Sequence, residues 1–564
     1  MSLARLFRLL IAGLFTSAII VGCASIPQSG QIGESDQQAN VEQTVAYPFN
    51  PAGPAQDATQ TSVINGFILA ATGIQGDFST AREFLTEDAA ETWDPSAQTT
   101  IYTGKPIVDS NGGDQYSVEL SSVGSLDEAG VLELADGGET QNFDFSLVQV
   151  NGQWRIDELP DGISLDSAQF RALFNTQTLY FYDPTYTYAV PDVRWMLNTS
   201  DQTAAIVQAL LDGPANYLDG AVVSAFEQDA ELFRDIVPVS TSTAQVDLTD
   251  ETFADTSELT RHRMQQQLEL ALERYPGVSD VSMTRERSVI DLDEAPDEFT
   301  PADSTVTTGN TQVGIHPETQ QLVAYEANST TTMDGFPNVA NLEPADPTMN
   351  RQRDTAAFVN ADRDTLYAAN DATQSYEIAT GTDLIAPSMD VHDWVFSVTD
   401  DNTIIAAKTT RTGQVLEITH PWAGQNVEIT SLRISPEGTR AAVVVKREDK
   451  PAELYLAGLI RDEQGQPQAL GNTFKLQADE PPNTVEWYST AEVLAGRVSD
   501  RERVELELLG FSGPSVNFKP MLGMVSFSTG AGNVYAETED NAYLRVGNNW
   551  RAQPEAPTEL SYPG

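Results

Sequence analysis

The sequence predicts a multidomain chain: two α+β domains followed by an all-β, propeller-like domain. Three observations predict it. Between residues 56 and 169, helical patterns precede a series of strand patterns, the order of an α+β fold. Between 170 and 292 the order is β-α-β-α-β. From 305 to 564 a pair of strands around a turn recurs at the spacing of propeller blades. A length of 564 residues suits three or four domains, and an apolar content of 40% suffices for several cores.

The first 22 residues read as a secretory signal. Arg5 and Arg8 precede an apolar run from Leu9 to Val21, which is too short to span a bilayer, since that takes roughly 20 residues. The run ends in Ile20-Val21-Gly22-Cys23, which resembles the bacterial lipobox. That resemblance implies cleavage between Gly22 and Cys23 and lipidation of Cys23, with an S-diacylglycerol on the thiol and an N-palmitoyl group. Cys23 is the only cysteine, so it has no disulfide partner in the chain. Ala24 to Pro54 is rich in Ser, Gln, Gly, Pro and acidic residues and has no helical period, so residues 23–55 read as a lipidated tether. As a flexible coil it would hold the first domain about 30 Å from the anchor.

Eighty-three acidic residues face 31 basic ones, six of them lysines, for a formal net charge of −52. Nucleic-acid binding needs clustered cations to neutralise phosphate, so this balance argues against it. It also argues against binding an anionic bilayer by charge. No later apolar run approaches spanning length, so the expected location is the extracytoplasmic face of the cell membrane, held there by lipid.

The first domain is expected over 56–169. Thr61–Thr72 reads as a helix, with Val63, Ile64, Phe67 and Ile68 at helical spacing. Ser79–Leu85 reads as a second helix, with an N-cap candidate in Asp77-Phe78-Ser79. Strands follow at 115–123, 130–134, 141–150 and 153–158. Asn151-Gly152 is a hairpin signal. The phrases Gly66-Phe67, Asp77-Phe78, Phe84-Leu85-Thr86 and Asn151-Gly152-Gln153-Trp154-Arg155-Ile156 resemble the cone-like nuclear transport factor 2 superfamily, whose cone either holds a ligand or is simply a core.

The second domain, 170–292, has strands at 179–182 and 193–195, then an amphipathic helix over 201–211 stopped by Gly213-Pro214. A strand at 244–248 precedes a helix over 257–275, stopped by Pro276-Gly277. A hairpin of 278–284 with 289–292 closes it. Val193-Arg194-Trp195, Ala209 to Pro214, Val246-Asp247-Leu248 and Tyr275 to Val278 resemble the GerMN domain, a module of exported proteins.

A Pro/Asp/Glu-rich linker, 293–304, leads to the propeller-like domain, 305–564. The repeat anchors Ile315, Val359, Val398, Ile434, Trp487 and Phe527 are 44, 39, 36, 53 and 40 residues apart. Six blades are expected, or more if Thr330–Asn350 contributes another.

Signals for chemistry are sparse. His262, His316, His392 and His420 show no metal-ligand spacing, and the phosphate-loop, dinucleotide and nucleophile-elbow motifs are absent. Neither a metal nor a cofactor is expected, and no catalytic residue stands out. His262 reads as exposed. His392 reads as a loop hydrogen-bonder rather than a proton shuttle. Asn360 to Asp364 mimics a calcium loop but occupies a blade turn. Arg285-Glu286-Arg287 and Arg501-Glu502-Arg503 read as hairpin charges.

The lipobox, the phrase Cys23-Ala24-Ser25-Ile26-Pro27-Gln28-Ser29-Gly30 and the domain order together resemble the actinobacterial LpqB lipoprotein family. The resemblance implies a non-enzymatic accessory protein. Its implied partner is the extracytoplasmic domain of a sensor histidine kinase, MtrB of the MtrAB two-component system, which tunes envelope and division responses. The alternative is a protein that binds cell-wall glycan or peptide.

Overall fold

In the first domain, helix α1 (Gln60–Ala70) buries Val63, Ile64, Phe67 and Ile68, the apolar stripe that its spacing sets. Thr59 caps it by accepting from the Ser62 amide. Helix α2 (Ser79–Arg82) lacks the expected cap. Phe78 takes the N-cap position in a left-handed conformation, while Asp77 instead pairs with Arg82 at 2.6 Å. A third helix, α3 (Glu87–Thr92), is capped by Thr86.

The sheet is longer than its sequence signals. It contains β1 (Gln98–Gly112), β2 (Gln115–Asp127), β3 (Leu132–Val150), β4 (Gln153–Glu158) and β5 (Ile163–Asp166), in the order β4-β3-β2-β1-β5. The expected strands at 130–134 and 141–150 are two parts of one strand, β3. Asn151 and Gly152, both with positive φ, make the tight turn from Val150 to Gln153. A cavity of about 20 Å³ lies between α1 and the sheet, lined by Phe67, Ile68, Leu120 and Phe145, room for a single water.

Helix α4 (Ser167–Leu173), held by an Asp166–Gln169 capping box, leads into the second domain. There β6 (Phe174–Tyr182) and β7 (Ala189–Leu197) form a hairpin. Helix α5 (Gln202–Leu211) and helix α6 (Glu258–Leu272) pack on each other and on β6. The buried Gln267 of α6 donates to the Tyr180 carbonyl at 2.8 Å and accepts the Ala225 amide at 2.9 Å. A small sheet completes the domain, with strands β8 (Val239–Ser240), β9 (Thr243–Leu248), β10 (Asp280–Arg285) and β11 (Ser288–Val289) in the order β11-β10-β9-β8.

This computed structural model describes residues 51–564, apart from 200, 255, 291, 293, 371–372, 512–514 and the side chains of 136–138. Gly22, Cys23 and the expected tether as far as residue 50 lie outside the described residues.

The third region is a six-bladed propeller, each blade a four-stranded sheet. In blades two to six the chain runs from the innermost strand outward. The first blade differs. Its outer three strands are Gln312–Ile315, Leu322–Glu326 and Ser329–Thr332, while its innermost is Thr558–Ser561 from the far end of the chain. That strand also lies beside the inner strands of blades two and six, Pro344–Met349 and Ser526–Gly530, so it closes the ring. Residues 330–350 do not form an additional blade. They supply the last strand of blade one and the first of blade two.

The strand pairs recognised in sequence belong to two different frames. In blades one to three the anchors lie on second strands, and in blades four to six on first strands. This shift, together with long strands such as Lys450–Arg461, accounts for the uneven spacing.

Candidate binding surfaces

The second domain covers one face of the propeller, the face carrying the loops between first and second strands. Arg351, in that loop of blade two, donates to the Tyr188 hydroxyl at 2.9 Å. In blade four, the 3₁₀ turn Asn216–Leu218 lies on Gly458. A Cβ there would come within 2.7 Å of the Ala221 Cβ and of the Tyr217 carbonyl oxygen, so close approach requires glycine. One apolar cluster runs through both domains, from Leu218 and Val222 to Ala442, Leu456, Trp487 and Phe511.

Two buried arginines stand on either side of Tyr217. Arg194 of β7 binds Asp192 in a bidentate pair at 2.8 and 2.6 Å and also donates to the Ala129 carbonyl of the first domain and the Gly213 carbonyl. Asp192 further accepts the Ala215 amide at 2.8 Å. Arg440, fully buried in blade four, donates to Glu437 at 2.7 Å and to the Thr490 carbonyl at 2.6 Å, with its guanidinium over the Trp487 ring. Burial would raise the Glu437 carboxyl, but Arg440 and Ser435 outweigh it and hold it below its ordinary range. Burial pushes the Tyr217 hydroxyl up, with Asp192 adding to the effect, while Arg440 and Arg194 oppose it. A polar chain therefore runs from Ala129 through Arg194, Asp192, Tyr217 and Arg440 to Glu437, touching all three domains. Sequence reading quoted Arg194 only as part of a resemblance and missed Arg440. The charge of an arginine in a strand pattern does not say which way it faces.

A second cluster joins the inner strands of the propeller to Glu537, at the end of the second strand of blade six. Glu537 accepts the amides of Glu559 and Leu560 on the closing strand at 2.8 and 2.6 Å. Glu559 accepts the Asp346 amide at 2.5 Å, and Asp346 pairs with Arg363. Glu486 pairs with Arg433 at 2.7 Å. Asp346 and Glu559 both have left-handed φ, at 46° and 55°, a conformation uncommon outside glycine and often found at bulges. Burial pushes the Glu537 carboxyl up to about 7 and also raises Glu559 and Glu486.

The residues singled out from sequence are placed apart from these clusters. His262 is half-buried against Phe299, with ring centroids 5.2 Å apart, rather than exposed, because residues beyond α6 fold back over it. His316 accepts the Glu318 and Thr319 amides in a blade-one turn. The His392 amide donates to Asp390 and its carbonyl accepts from Lys408. Burial lowers the pKa of its ring. His420 bonds the Asn402 carbonyl at 3.0 Å and is likewise lowered by burial. The Asn360 side chain accepts the Asp364 and Thr365 amides and donates to Asp364, so the loop oxygens serve the turn itself. Arg285 pairs with Asp250 and Arg501 with Asp500. Among the described residues no group of three or more His, Cys, Asp or Glu side chains is arranged to hold a metal ion, and no helix is long and apolar enough to cross a membrane.

An α+β domain, a GerMN-like module and a six-bladed propeller define a multidomain protein, and family comparisons match each part. Residues 53–171 match the family described as "Lipoprotein LpqB, N-terminal domain", residues 178–288 "Sporulation and spore germination", and residues 320–563 "Lipoprotein LpqB beta-propeller domain". The chain belongs to the LpqB lipoprotein family, a family of envelope lipoproteins. Lipoprotein LpqB of Mycobacterium bovis (strain BCG / Pasteur 1173P2) is 28% identical over 501 residues, covering 82% of this chain and 81% of the relative. Lipoprotein LpqB of Cutibacterium acnes (strain DSM 16379 / KPA171202) is 25% identical over 484 residues, covering 79% and 78%. Among solved structures, TolB from Acinetobacter baumannii aligns over 44% of this chain and 61% of its own, at 12% identity and a TM-score of 0.32.

Proposed function

We propose that this lipoprotein is anchored through Cys23 and acts as a binding factor for the extracytoplasmic part of a sensor histidine kinase, MtrB of the MtrAB system. The observation that carries this reading is family membership, matched in both end domains, together with the lipobox ending at Cys23. The physical logic is confinement. A lipid anchor and tether keep the protein in the leaflet where the kinase sensor sits, so a weak interface suffices at the resulting effective concentration. To alter signalling, the protein must bind one state of the kinase better than the other.

The direct test is co-purification from detergent extracts, with kinase output measured in a deletion strain. Enrichment of the kinase and altered output are expected. Absence of both would end the proposal. Cys23→Ser should release or mislocalise a folded protein in membrane fractionation. A variant that stayed membrane-bound with full function would disprove the anchor.

A further inference from the structure

We propose that the cleft where all three domains meet is a binding site for a neutral or amine-bearing oligosaccharide. The proposal goes beyond the kinase reading and does not rest on it.

The cleft encloses about 340 Å³, at the small end of the roughly 300–1,000 Å³ range of ligand sites, which often lie at domain interfaces. Strand register builds one wall. Gln98 of β1 pairs with Asp127 of β2, and Ser125 of β2 pairs with Glu133 of β3. Residues two apart on a strand share a face, so these four stand together on the outer face of the sheet. Leu126, between Ser125 and Asp127, points into the core and is 3% exposed. The opposite wall comes from the other two domains. Tyr217 of the 3₁₀ turn packs against Phe474 of the outermost strand of blade four, with ring centroids 5.6 Å apart. Asn472, on the same outer strand, donates to Asn216 at 2.7 Å and ties the two domains at the rim.

The lining pairs an aromatic face with unused polar capacity. Phe474 is half-buried at the cleft. The side chains of Gln98, Ser125, Glu133 and Thr473 make no hydrogen bond to other described residues. One Asp127 oxygen accepts the Val131 amide at 2.7 Å, and the other has no hydrogen-bond partner among the described residues. An apolar ring face beside amide, hydroxyl and carboxylate groups suits a ligand that is itself apolar on one face and rich in hydroxyls at its edge. A sugar ring has that character. Two carboxylates in the same wall, Asp127 and Glu133, repel anionic polymers and admit hydroxyl or ammonium groups, which sets specificity by exclusion. Because three domains supply the walls, occupancy favours their assembled arrangement over any opened one.

Isothermal titration calorimetry on the full chain in detergent tests this, with three probes: tetra-N-acetylchitotetraose, its de-acetylated amine form, and tetragalacturonate. Binding of at least one of the first two and none of the third is expected. Phe474→Ala should weaken that binding about tenfold. Because this change also touches the Tyr217 packing, Gln98→Ala and Glu133→Gln, both on an exposed strand face, provide the independent check. Each should weaken binding at least about threefold with an unchanged melting temperature. Failure of both chitotetraose forms to bind, equal binding of tetragalacturonate, or full affinity in both strand variants would overturn the proposal.

Discussion

Along the seam between the GerMN domain and the propeller, one apolar cluster continues from Leu218 and Val222 into Leu456 and Trp487. Along the seam between the first domain and the GerMN domain, the first domain's core reaches only the start of the β6–β7 hairpin, where Phe174, Trp195 and Leu197 join it. The join consists of a small aromatic group, Phe170 with Phe174 and Trp195, and the buried Arg194–Asp192 pair reaching the Ala129 carbonyl. The contrast teaches that the two seams hold by different forces. A shared apolar core is non-directional and makes its two partners stable or unstable together. A buried ion pair is directional and specifies one docking geometry, and its loss leaves an uncompensated charge.

The largest effect is expected where both forces meet. Arg440→Ala strands the fully buried Glu437 beside the shared core and should cost about 3–5 kcal/mol, seen in denaturant unfolding as one lowered transition for GerMN domain and propeller together. Two separated transitions would contradict a shared core. Arg194→Ala leaves Asp192 with only the Ala215 amide and should cost about 3 kcal/mol. This loss should be confined to the first seam. Hydrogen exchange should rise around Asp127–Val131 and β7 while the propeller strands stay protected, whereas uniform loss of protection would erase the distinction between seams.

A third prediction uses the ring closure, remote from both seams, as a control. The Glu537 carboxyl titrates at about 7 in the folded chain, against 4.5 as its ordinary value. The unfolded chain therefore ionises first. The contribution of Glu537 to stability is full below about pH 4.5, falls as pH rises towards 7, and above that is lost by about 3 kcal/mol. Thermal melts should show this decline between about pH 4.5 and 7, with Glu559 and Glu486 contributing in the same direction, and Glu537→Gln should reduce its slope. An unchanged slope would remove Glu537 as its cause. The smallest effect is expected from Gly458→Ala, whose Cβ would press on Ala221 and the Tyr217 carbonyl. It should cost about 1–3 kcal/mol by overpacking and loosen the shared seam without touching any charge. A stability equal to that of the parent would show that this seam tolerates separation.

Legibility followed sequence distance. Helices α1, α5 and α6 and the Asn151-Gly152 turn were readable because their signals lie within a turn or two of chain. Strand β1 was missed because its apolar positions cluster at one end: Ile101 and Tyr102 are buried, while most of the later residues are exposed. Helix α3, only six residues, has too short a pattern to show a period. The six-fold repeat was visible, but its frame was not, because first and second strands of a blade carry similar buried runs.

By itself the sequence determined the order of three domains and the local hairpins and helices, since each depends on neighbours close in the chain. Tertiary structure alone decided the rest. Thr558 bonds to Ile315 across 243 positions to close the ring. Arg194 and Arg440 turn inward rather than to solvent, and Gln98, Glu133, Tyr217 and Phe474 come to line one cleft. Such pairings become favourable only once separate cores have formed and docked, and no local pattern of residues records which distant partner supplies the missing contact.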